Sequence, residues 1–309
     1  MSSASSSAQS RHAASSRWTP SRAGRVGTLS AAAFIFAVPI VTFILMGFRQ
    51  ENAIGQVPGG IFSLAGLSLE NAKRNLDVVM SFNHGIFATW MQNSLIVGIG
   101  GTVLAVVTAL PAGYALAKLR FKGRRLLRFI TLLTMVMPNT VLVIPLFLEV
   151  SAIGGIGKLW PVIVIMGFYP FGVYLSYIHF LTTLPRELVE AARLDGLSEV
   201  MVFLRIALPI SKQAVALVIF FSFVANWTNY FLPLVLLPLS EQGTVTLGLQ
   251  QLIGSSPLFD PTTSAGLSTK LYMPQLALAT TIMIVPVLAV FIGAQRFLMR
   301  GAVVGAVKG

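Results

Sequence analysis

The sequence predicts an all-α membrane protein with six transmembrane helices. Of its 309 residues, 55% are apolar and 10% are charged, whereas about 25% of the residues in a soluble domain are charged. Apolar runs recur along the chain, and each is close to the roughly 20 residues that a helix needs to cross the hydrocarbon core of a bilayer. The chain has no cysteine, which excludes disulfide scaffolds, thiol catalysis and thiolate metal sites.

The first element is the apolar run at 29–48, which follows a Ser/Arg-rich segment. Residues 1–25 hold nine serines and four arginines, and such a composition cannot bury enough apolar surface to fold, so a disordered cytoplasmic tail is predicted. The run at 29–48 is longer than the core of a cleavable signal and lacks a convincing cleavage site before Arg49. It is therefore expected to remain as the first membrane helix.

Five further spans follow, at about 91–117, 129–150, 160–181, 213–238 and 275–297. Each contains Gly or Pro, which membrane helices tolerate because neighbouring helices can satisfy the freed backbone groups. Kinked helices are the simpler interpretation, and broken helices that line a translocation path are the alternative. The prolines concerned are Pro111, Pro138, Pro145, Pro170, Pro233 and Pro286. The predicted transmembrane domain covers 26–300, followed by a cytoplasmic tail at 301–309.

The distribution of charge predicts the orientation of these spans. The chain has 22 Lys+Arg against 10 Asp+Glu, for a net charge of +12. The two ends and the links 118–128 and 182–212 carry 17 of the 22 basic residues. By the positive-inside rule both termini and both links are cytoplasmic. The excess charge therefore chiefly records topology, and no nucleic-acid partner is expected. The outer segments near 49–90 and 239–274 are long enough for partner contacts.

The second span repeats small residues at every fourth position, which places them on one helix face. This stripe predicts close packing against another helix, and a pathway lining is the alternative. Its members are Gly101, Ala105, Ala109, Gly113 and Ala117.

The span interiors contain almost no ionisable residues, since Glu149 and His179 fall at span ends. An ion-coupled transporter usually keeps a titratable group within the membrane, so this class is disfavoured. Neutral polar and aromatic residues could line a path for a hydroxylated solute, with Trp227 or Tyr230 against a sugar face. An interhelical hydrogen-bond cluster is an equal alternative. The candidate pathway residues are Asn139, Asn226, Trp227, Asn229 and Tyr230.

The link 182–212 is too charged to cross a membrane and too regular for a slack loop, so a compact helix-turn-helix is predicted. Pro185 suits a first helical turn and Gly196 a left-handed cap. Ser198 can cap a second short helix, which Pro209 would end. Leu197 and Val202 stand where a hydrophobic staple would close.

The first of these helices is predicted to bind a protein. Leu188, Ala191, Ala192 and Asp195 share one face, and the paired alanines allow close approach. Acidic residues such as Glu187 can fix the register of the partner. A helix that rests on lipid headgroups is the alternative, although it would normally carry more Lys and Arg.

One spaced pattern in this link resembles the EAA signature of permease subunits of binding-protein-dependent ABC importers. The pattern is Glu190-Ala191-Ala192, three residues, Gly196, nine residues, Ile206, one residue, Leu208-Pro209. Flanking strings resemble the carbohydrate branch, in particular the second permease of maltose-type systems. Those strings include Asn93-Ser94, residues 112–117, residues 185–188, Trp227 with Asn229 and Pro233, and the ending 305–309. The resemblance extends from about residue 29 to the last residue.

The resemblance implies the type I ABC importer permease fold and residence in the bacterial plasma membrane. It implies that the coupling helices, with Glu187, Glu190 and Asp195 among their residues, dock on a cytoplasmic ATPase dimer. It also implies a contact between the ATPase and the C-terminal tail through Gly305 and Lys308. Further partners would be a second permease in a heterodimer, an extracellular solute-binding protein and membrane lipid.

The chain is predicted to be no enzyme and to bind no metal or cofactor. It contains no GxxxxGK[ST] loop, so it cannot be the ATPase, and ATP and Mg would be used by a partner chain. A permease for a non-sugar solute is the nearest alternative function. A self-sufficient secondary transporter and a membrane scaffold are the more distant ones.

Overall fold

A computed structural model describes residues 22–50, 66–238, 241–259 and 270–306. This part of the chain is helical and contains no strand, which confirms the predicted all-α class. Of the predicted disordered tail at 1–25, residues 1–21 lie outside the described residues, as does Lys308, whereas residues 22–25 already belong to the first helix. The chain divides into two compact units, residues 1–43 and 44–309.

The described helices are numbered in chain order. They are α1 (Arg22–Met46), α2 (Leu69–Ser81), α3 (Ile86–Lys118), α4 (Arg124–Val136), α5 (Val143–Ala152), α6 (Leu159–Gly167), α7 (Pro170–Thr183), α8 (Arg186–Leu194), α9 (Glu199–Val202), α10 (Leu208–Ile210), α11 (Lys212–Thr228), α12 (Phe231–Leu236), α13 (Val245–Gly254) and α14 (Met273–Ala306). Short 3₁₀ helices cover Phe82–Gly85 and Asn139–Leu142, and a π-helical turn covers Phe203–Ala207.

Four helical stretches among the described residues are long and apolar enough to cross a membrane. They are Gly24–Met46, Leu69–Lys118, Leu159–Thr183 and Met273–Leu298. Two further pairs pass the same test but are bent, by 93° between Arg124–Val136 and Thr140–Ala152, and by 84° between Glu199–Ile210 and Lys212–Thr228. The number of candidate spans is therefore four, or six if each bent pair crosses the membrane once.

The prolines inside the predicted spans affect the helices in two different ways. Pro111 and Pro286 lie inside the continuous helices α3 and α14. The third predicted span instead breaks at Pro138, where α4 ends. The fourth breaks before Pro170, which begins α7 in the first turn, where its missing N–H is not needed. Kinking alone is thus wrong for the third span, whereas the fourth, although interrupted before Pro170, still forms one candidate span at Leu159–Thr183. The fifth is interrupted at Asn229 and Tyr230.

Within residues 44–309, α3 lies at the centre and packs against α6, α7 and α11. The whole small-residue stripe of α3 is buried. A Cβ added at Gly113 would lie 2.4 Å from the Cβ of Ser176 on α7, and one at Gly101 would lie 2.6 Å from Nδ2 of Asn226 on α11. The stripe therefore serves helix packing within the chain, and the pathway-lining alternative is not supported.

The N-terminal half of α3 is fixed to the segment that precedes α13. Asn93 Nδ2 donates to the carbonyls of Glu241 at 2.8 Å and Gly243 at 3.0 Å. Beside it, Ser94 Oγ accepts from the Val245 N–H at 2.8 Å. These bonds give buried polar groups partners 148 to 151 residues away along the chain, so this end of α3 has a defined position.

Candidate functional site

The link between α7 and α11 forms the predicted helix-turn-helix. Pro185 precedes α8 with extended backbone and Glu187 lies in the first turn. The turn at the other end is a Schellman motif, because the Leu197 N–H bonds to the Ala192 carbonyl and the Gly196 N–H bonds to the Arg193 carbonyl. Gly196 has φ +82° and no atom within 4 Å of an added Cβ. Glycine is therefore favoured here by backbone conformation and not by lack of space.

The second helix of the link differs in one respect from the prediction. Ser198 caps it, with Oγ accepting from the Met201 N–H. It continues past Pro209 to Ile210, because the π-helical turn at Phe203–Ala207 shifts the backbone bonding so that the Leu208 N–H reaches the Phe203 carbonyl. The chain turns at Ser211 instead, where the 84° bend into α11 begins.

The inner face of the link packs against the ends of α3 and α7. Val189, Ala192 and Val202 are buried in one cluster with Phe180 and Tyr114. Ala192 is only 3% exposed. The prediction that Ala192 lies on the partner-binding face is therefore wrong. Ile206 and Leu208 are half-buried and also face the chain's own core, whereas Pro209 is exposed.

A polar contact adds to this packing. The Tyr114 hydroxyl donates to Glu199 Oε2 at 3.4 Å, and Arg193 Nε lies 2.6 Å from Glu199 Oε1. The hydrogen bond to Glu199 raises the pKa of Arg193 above its ordinary value. Lys118 Nζ donates to the Leu184 carbonyl at 2.5 Å. Tyr114 and Lys118 thus hold the link 182–212 against the end of α3, and the Arg193–Glu199 pair joins the two helices of the link.

The outer face of α8 is exposed and mixes apolar with acidic side chains. Leu194 is 89% exposed and Leu188 is 45% exposed. Ala191 lies between them on the surface, with Glu187 and Glu190 on the same exposed side of the helix and Asp195 at its end. An exposed leucine of this degree beside a carboxylate row fits a protein contact better than a solvated surface.

Sequence reasoning missed Leu194 and the two contacts of Glu199, with Tyr114 and with Arg193. Leu194 stands three residues after Ala191, so helical spacing could have placed it on the partner face. Tyr114 and Glu199 are 85 residues apart, and no local pattern connects them. The Arg193–Glu199 pair spans the Gly196 turn, so its geometry depends on the Schellman motif.

The candidate pathway residues of the fifth span fall into two groups. Asn226 and Trp227 are buried, at 6% and 5% exposure. Trp227 stacks on Phe223 with ring centroids 5.6 Å apart and donates from Nε1 to the Met283 carbonyl at 3.1 Å. Its ring therefore faces α14 and not a solute, and for Trp227 the contacts support the interhelical alternative. Asn226 Nδ2 is buried without a hydrogen-bond partner among the described residues.

The second group lies at the break between α11 and α12. Asn229 Oδ1 accepts from the Leu232 N–H at 3.2 Å and so helps to begin α12. The Tyr230 hydroxyl bonds to Gln250 of α13, and both Asn229 and Tyr230 are half-buried. Asn139 begins the 3₁₀ helix after the break at Pro138. The polar groups of Asn229 and Tyr230 thus stand next to the break between α11 and α12.

The described residues contain no group of His, Cys, Asp or Glu arranged to hold a metal ion. Gly305 lies close to the end of α14, and the rest of the C-terminal contact, including Lys308, is beyond the described residues.

Comparison with known proteins gives matches along most of the chain. Residues 101–303 match the family described as binding-protein-dependent transport system inner membrane component. The chain is 30% identical over 281 residues to the arabinooligosaccharides transport system permease protein AraQ of Halalkalibacterium halodurans, covering 90% of this chain and 93% of that protein. It is 32% identical over 225 residues to the diacetylchitobiose uptake system permease protein DasC of Streptomyces coelicolor, covering 72% of this chain and 76% of that one.

One solved structure is similar over nearly its full length. It is a bacterial ABC transporter involved in the import of the acidic polysaccharide alginate. The TM-score is 0.71 at 23% identity, and the match covers 90% of this chain and 99% of that chain. The two chains share a fold, which confirms the predicted importer permease architecture.

Proposed function

Since the chain belongs to the family of inner membrane components of binding-protein-dependent transport systems, we propose that it forms half of the path by which a sugar or oligosaccharide crosses the bacterial plasma membrane. The family makes it a non-catalytic, multi-pass subunit of an ABC importer, and ATP is hydrolysed by a partner. The remaining half of the path would come from a second permease in a heterodimer.

The carbohydrate substrate rests on the relatives and on the polarity of the spans. The named relatives handle arabinooligosaccharides and diacetylchitobiose, and others handle maltodextrin and α-glucosides. A neutral hydroxylated solute needs hydrogen-bonding groups and no fixed charge in its path. Asn229 and Tyr230 stand next to a helix break and supply such groups, whereas Asn226 and Trp227 belong mainly to packing within the chain.

The exposed outer face of α8 is the main support for the proposal that this chain couples ATP hydrolysis by a partner to solute transport. It presents Leu188, Ala191 and Leu194 with Glu187 and Glu190 to a cytoplasmic ATPase dimer. When the ATPase binds ATP and closes, its motion would displace α8 and, through the Tyr114–Glu199 contact, the end of α3. Coupling of this kind requires rigid elements with two arrangements. An extracellular solute-binding protein would deliver the sugar on the opposite side.

The topology that this function needs has six spans, with each bent pair crossing once. It places both termini and the links 118–128 and 182–212 in the cytoplasm. The supporting observation is that 17 of 22 basic residues fall in those four segments. The tail at 301–309, with Gly305 and Lys308, would then lie on the same side as the ATPase.

The coupling proposal is tested by changing the backbone requirement at Gly196 in the reconstituted complex. Asparagine tolerates a positive φ, whereas valine at φ +82° is strained by about 1–3 kcal/mol. We expect Gly196→Asn to keep solute-stimulated ATP hydrolysis and Gly196→Val to lose most of it. Gly154→Val is the matched control, because Gly154 has φ +64° and equally open surroundings outside the link. Equal hydrolysis by all three variants would disprove docking through this turn.

The substrate proposal needs a separate assay. Proteoliposomes that contain the complete importer and its solute-binding protein would be offered labelled mono- and oligosaccharides, amino acids and phosphate esters. ATP-dependent uptake of a saccharide alone is the expected result. Uptake of an amino acid or phosphate ester without any saccharide would refute the carbohydrate assignment and leave the coupling proposal standing.

A further inference from the structure

A shallow cleft of about 820 Å³ lies where the ends of α4, α7 and α8 meet the link 119–123. Its lining carries five guanidinium groups and one phenol hydroxyl, and it has no acidic side chain. The residues that supply them are Arg120, Arg124, Arg125, Arg128, Arg186 and Tyr177. Five like charges around one cleft repel each other unless an anion occupies it.

Two of these arginines form a fixed floor. Arg124 donates from Nε to the Leu116 carbonyl at 2.7 Å and from Nη2 to the Ala117 carbonyl at 3.0 Å, at the end of α3. Arg128 donates from Nη1 to the Tyr177 hydroxyl at 2.8 Å, and its guanidinium carbon lies 5.6 Å from the centroid of that ring. Arg128 Nε is buried and has no hydrogen-bond partner among the described residues. These bonds hold both guanidinium groups in place beside the cleft.

The rim of the cleft is formed by arginines whose positive charge is not neutralised by a carboxylate of the described part of the chain. Arg120 and Arg125 are exposed, and neither forms an ion pair with a carboxylate in the described part of the chain. An arginine fork can bind two phosphate oxygens at once. The rim and floor together therefore match a phosphate group better than a single carboxylate.

The surface next to the cleft is apolar. Helix α4 begins at the cleft, and none of its residues is buried. Leu126, Phe129 and Leu133 are 60%, 62% and 50% exposed along it. A ligand that joins a phosphate to hydrocarbon would cover the cleft and this face together, as basic pockets beside membrane helices do with anionic lipids.

We propose that this cleft binds the phosphate headgroup of an anionic membrane lipid, with the acyl chains along the exposed face of α4. The proposal depends on the chain being a membrane protein and is independent of which solute is carried. Free phosphate shares the headgroup chemistry but gives no reason for the apolar face beside the cleft. A protein surface is the competing occupant, which the experiment separates.

The test uses the complete importer in nanodiscs of phosphatidylcholine with a minor fraction of phosphatidylglycerol. After exchange into phosphatidylcholine alone, the phosphatidylglycerol retained per complex is counted by native mass spectrometry. Two charges contribute about 30-fold in binding to an anionic surface, so R120Q/R125Q should lower the retention constant by about that factor. The control R205Q/K212Q removes the same charge from exposed positions outside the cleft and should retain lipid as the unmodified complex does.

Several outcomes would overturn the proposal. Equal retention by all three complexes excludes the cleft as the lipid site. Complete displacement of the lipid by millimolar inorganic phosphate shows a free-anion site. Loss of the ATPase from R120Q/R125Q with unchanged lipid retention shows a protein interface instead. As a check on the unmodified chain, a phosphatidylglycerol with a photoreactive headgroup should label residues 120–128, and labelling confined to other segments would also refute the site.

Discussion

The exposed leucine at the end of α8 allows the docking surface to be tested without disturbing the fold. Leu194 is 89% exposed, so it contributes almost nothing to the chain's own core. If the ATPase covers it, Leu194→Ala removes three buried carbon atoms. Burial of each carbon stabilises the contact by about 0.8 kcal/mol. Only the surface that is exposed in the free permease can be newly buried, so the three carbons together contribute about 2 kcal/mol. A loss of that size weakens ATPase association about 30-fold.

The assay measures association of the purified ATPase dimer with the permease complex in nanodiscs, by surface plasmon resonance or an equivalent titration. Alanine has the highest helix propensity, so α8 should persist and the melting temperature of the complex should not fall. Leu69→Ala is the matched control, since Leu69 is 80% exposed at the start of α2, away from the link. It should bind the ATPase as the unmodified chain does.

The reasoning fails if Leu194→Ala binds the ATPase within about twofold of the unmodified complex, because 2 kcal/mol cannot then be buried at this site. It also fails if Leu69→Ala weakens binding to the same extent. A fall in melting temperature for Leu194→Ala alone would show that the side chain packs within the permease and not against its partner.

Two further changes test the positions of α3. Gly113→Ala places a Cβ 2.4 Å from the Cβ of Ser176 and should destabilise the complex by about 1–3 kcal/mol, which is measured as a lower melting temperature. Gly293→Ala is the control, because Gly293 lies in open space, and it should leave the melting temperature unchanged. Equal melting temperatures of the two variants would contradict the close packing of α3 on α7. Tyr114→Phe removes the hydrogen bond from the Tyr114 hydroxyl to Glu199 and should cost at most about 1 kcal/mol of stability. It should also lower the ATP hydrolysis that solute stimulates. If solute stimulates ATP hydrolysis as strongly as in the unmodified complex, that bond has no coupling role.

Much of the fold could be predicted from the sequence because lipid imposes strong rules on apolar length. The predicted starts of the fifth and sixth spans, 213 and 275, lie one and two residues from Lys212 and Met273, where α11 and α14 begin. Prolines were harder, since Pro111 and Pro138 occur in similar apolar runs. Whether the helix continues through the proline depends on the packing of neighbouring helices. Helix α3 continues past Pro111 because α6, α7 and α11 pack against it, whereas α4, which ends before Pro138, buries none of its residues.

The coupling link shows the same limit within one motif. Its caps follow local rules, so Pro185, Gly196 and Ser198 could be placed from the sequence. The two alanines of the signature could not be separated, because the direction of α8 is set by α3 and α7. Ala191 faces outward and Ala192 packs into the cluster with Phe180. The role of Trp227 depended in the same way on α14, which supplies the carbonyl that it binds.

These contacts assign a mechanical role to α3 under the proposed function. Asn93 and Ser94 fix one part of it to the segment before α13, and Tyr114 and Lys118 fix its other end to the coupling segment. Its 33 residues form one unbroken helix, about 50 Å long at 1.5 Å per residue. Displacement of α8 would therefore be passed along α3, and Pro111 is the position inside it where the helix can bend. The breaks at Pro138 and at Asn229 are where the neighbouring spans can change angle, and the polar groups of Asn229 and Tyr230 stand beside the second of these breaks.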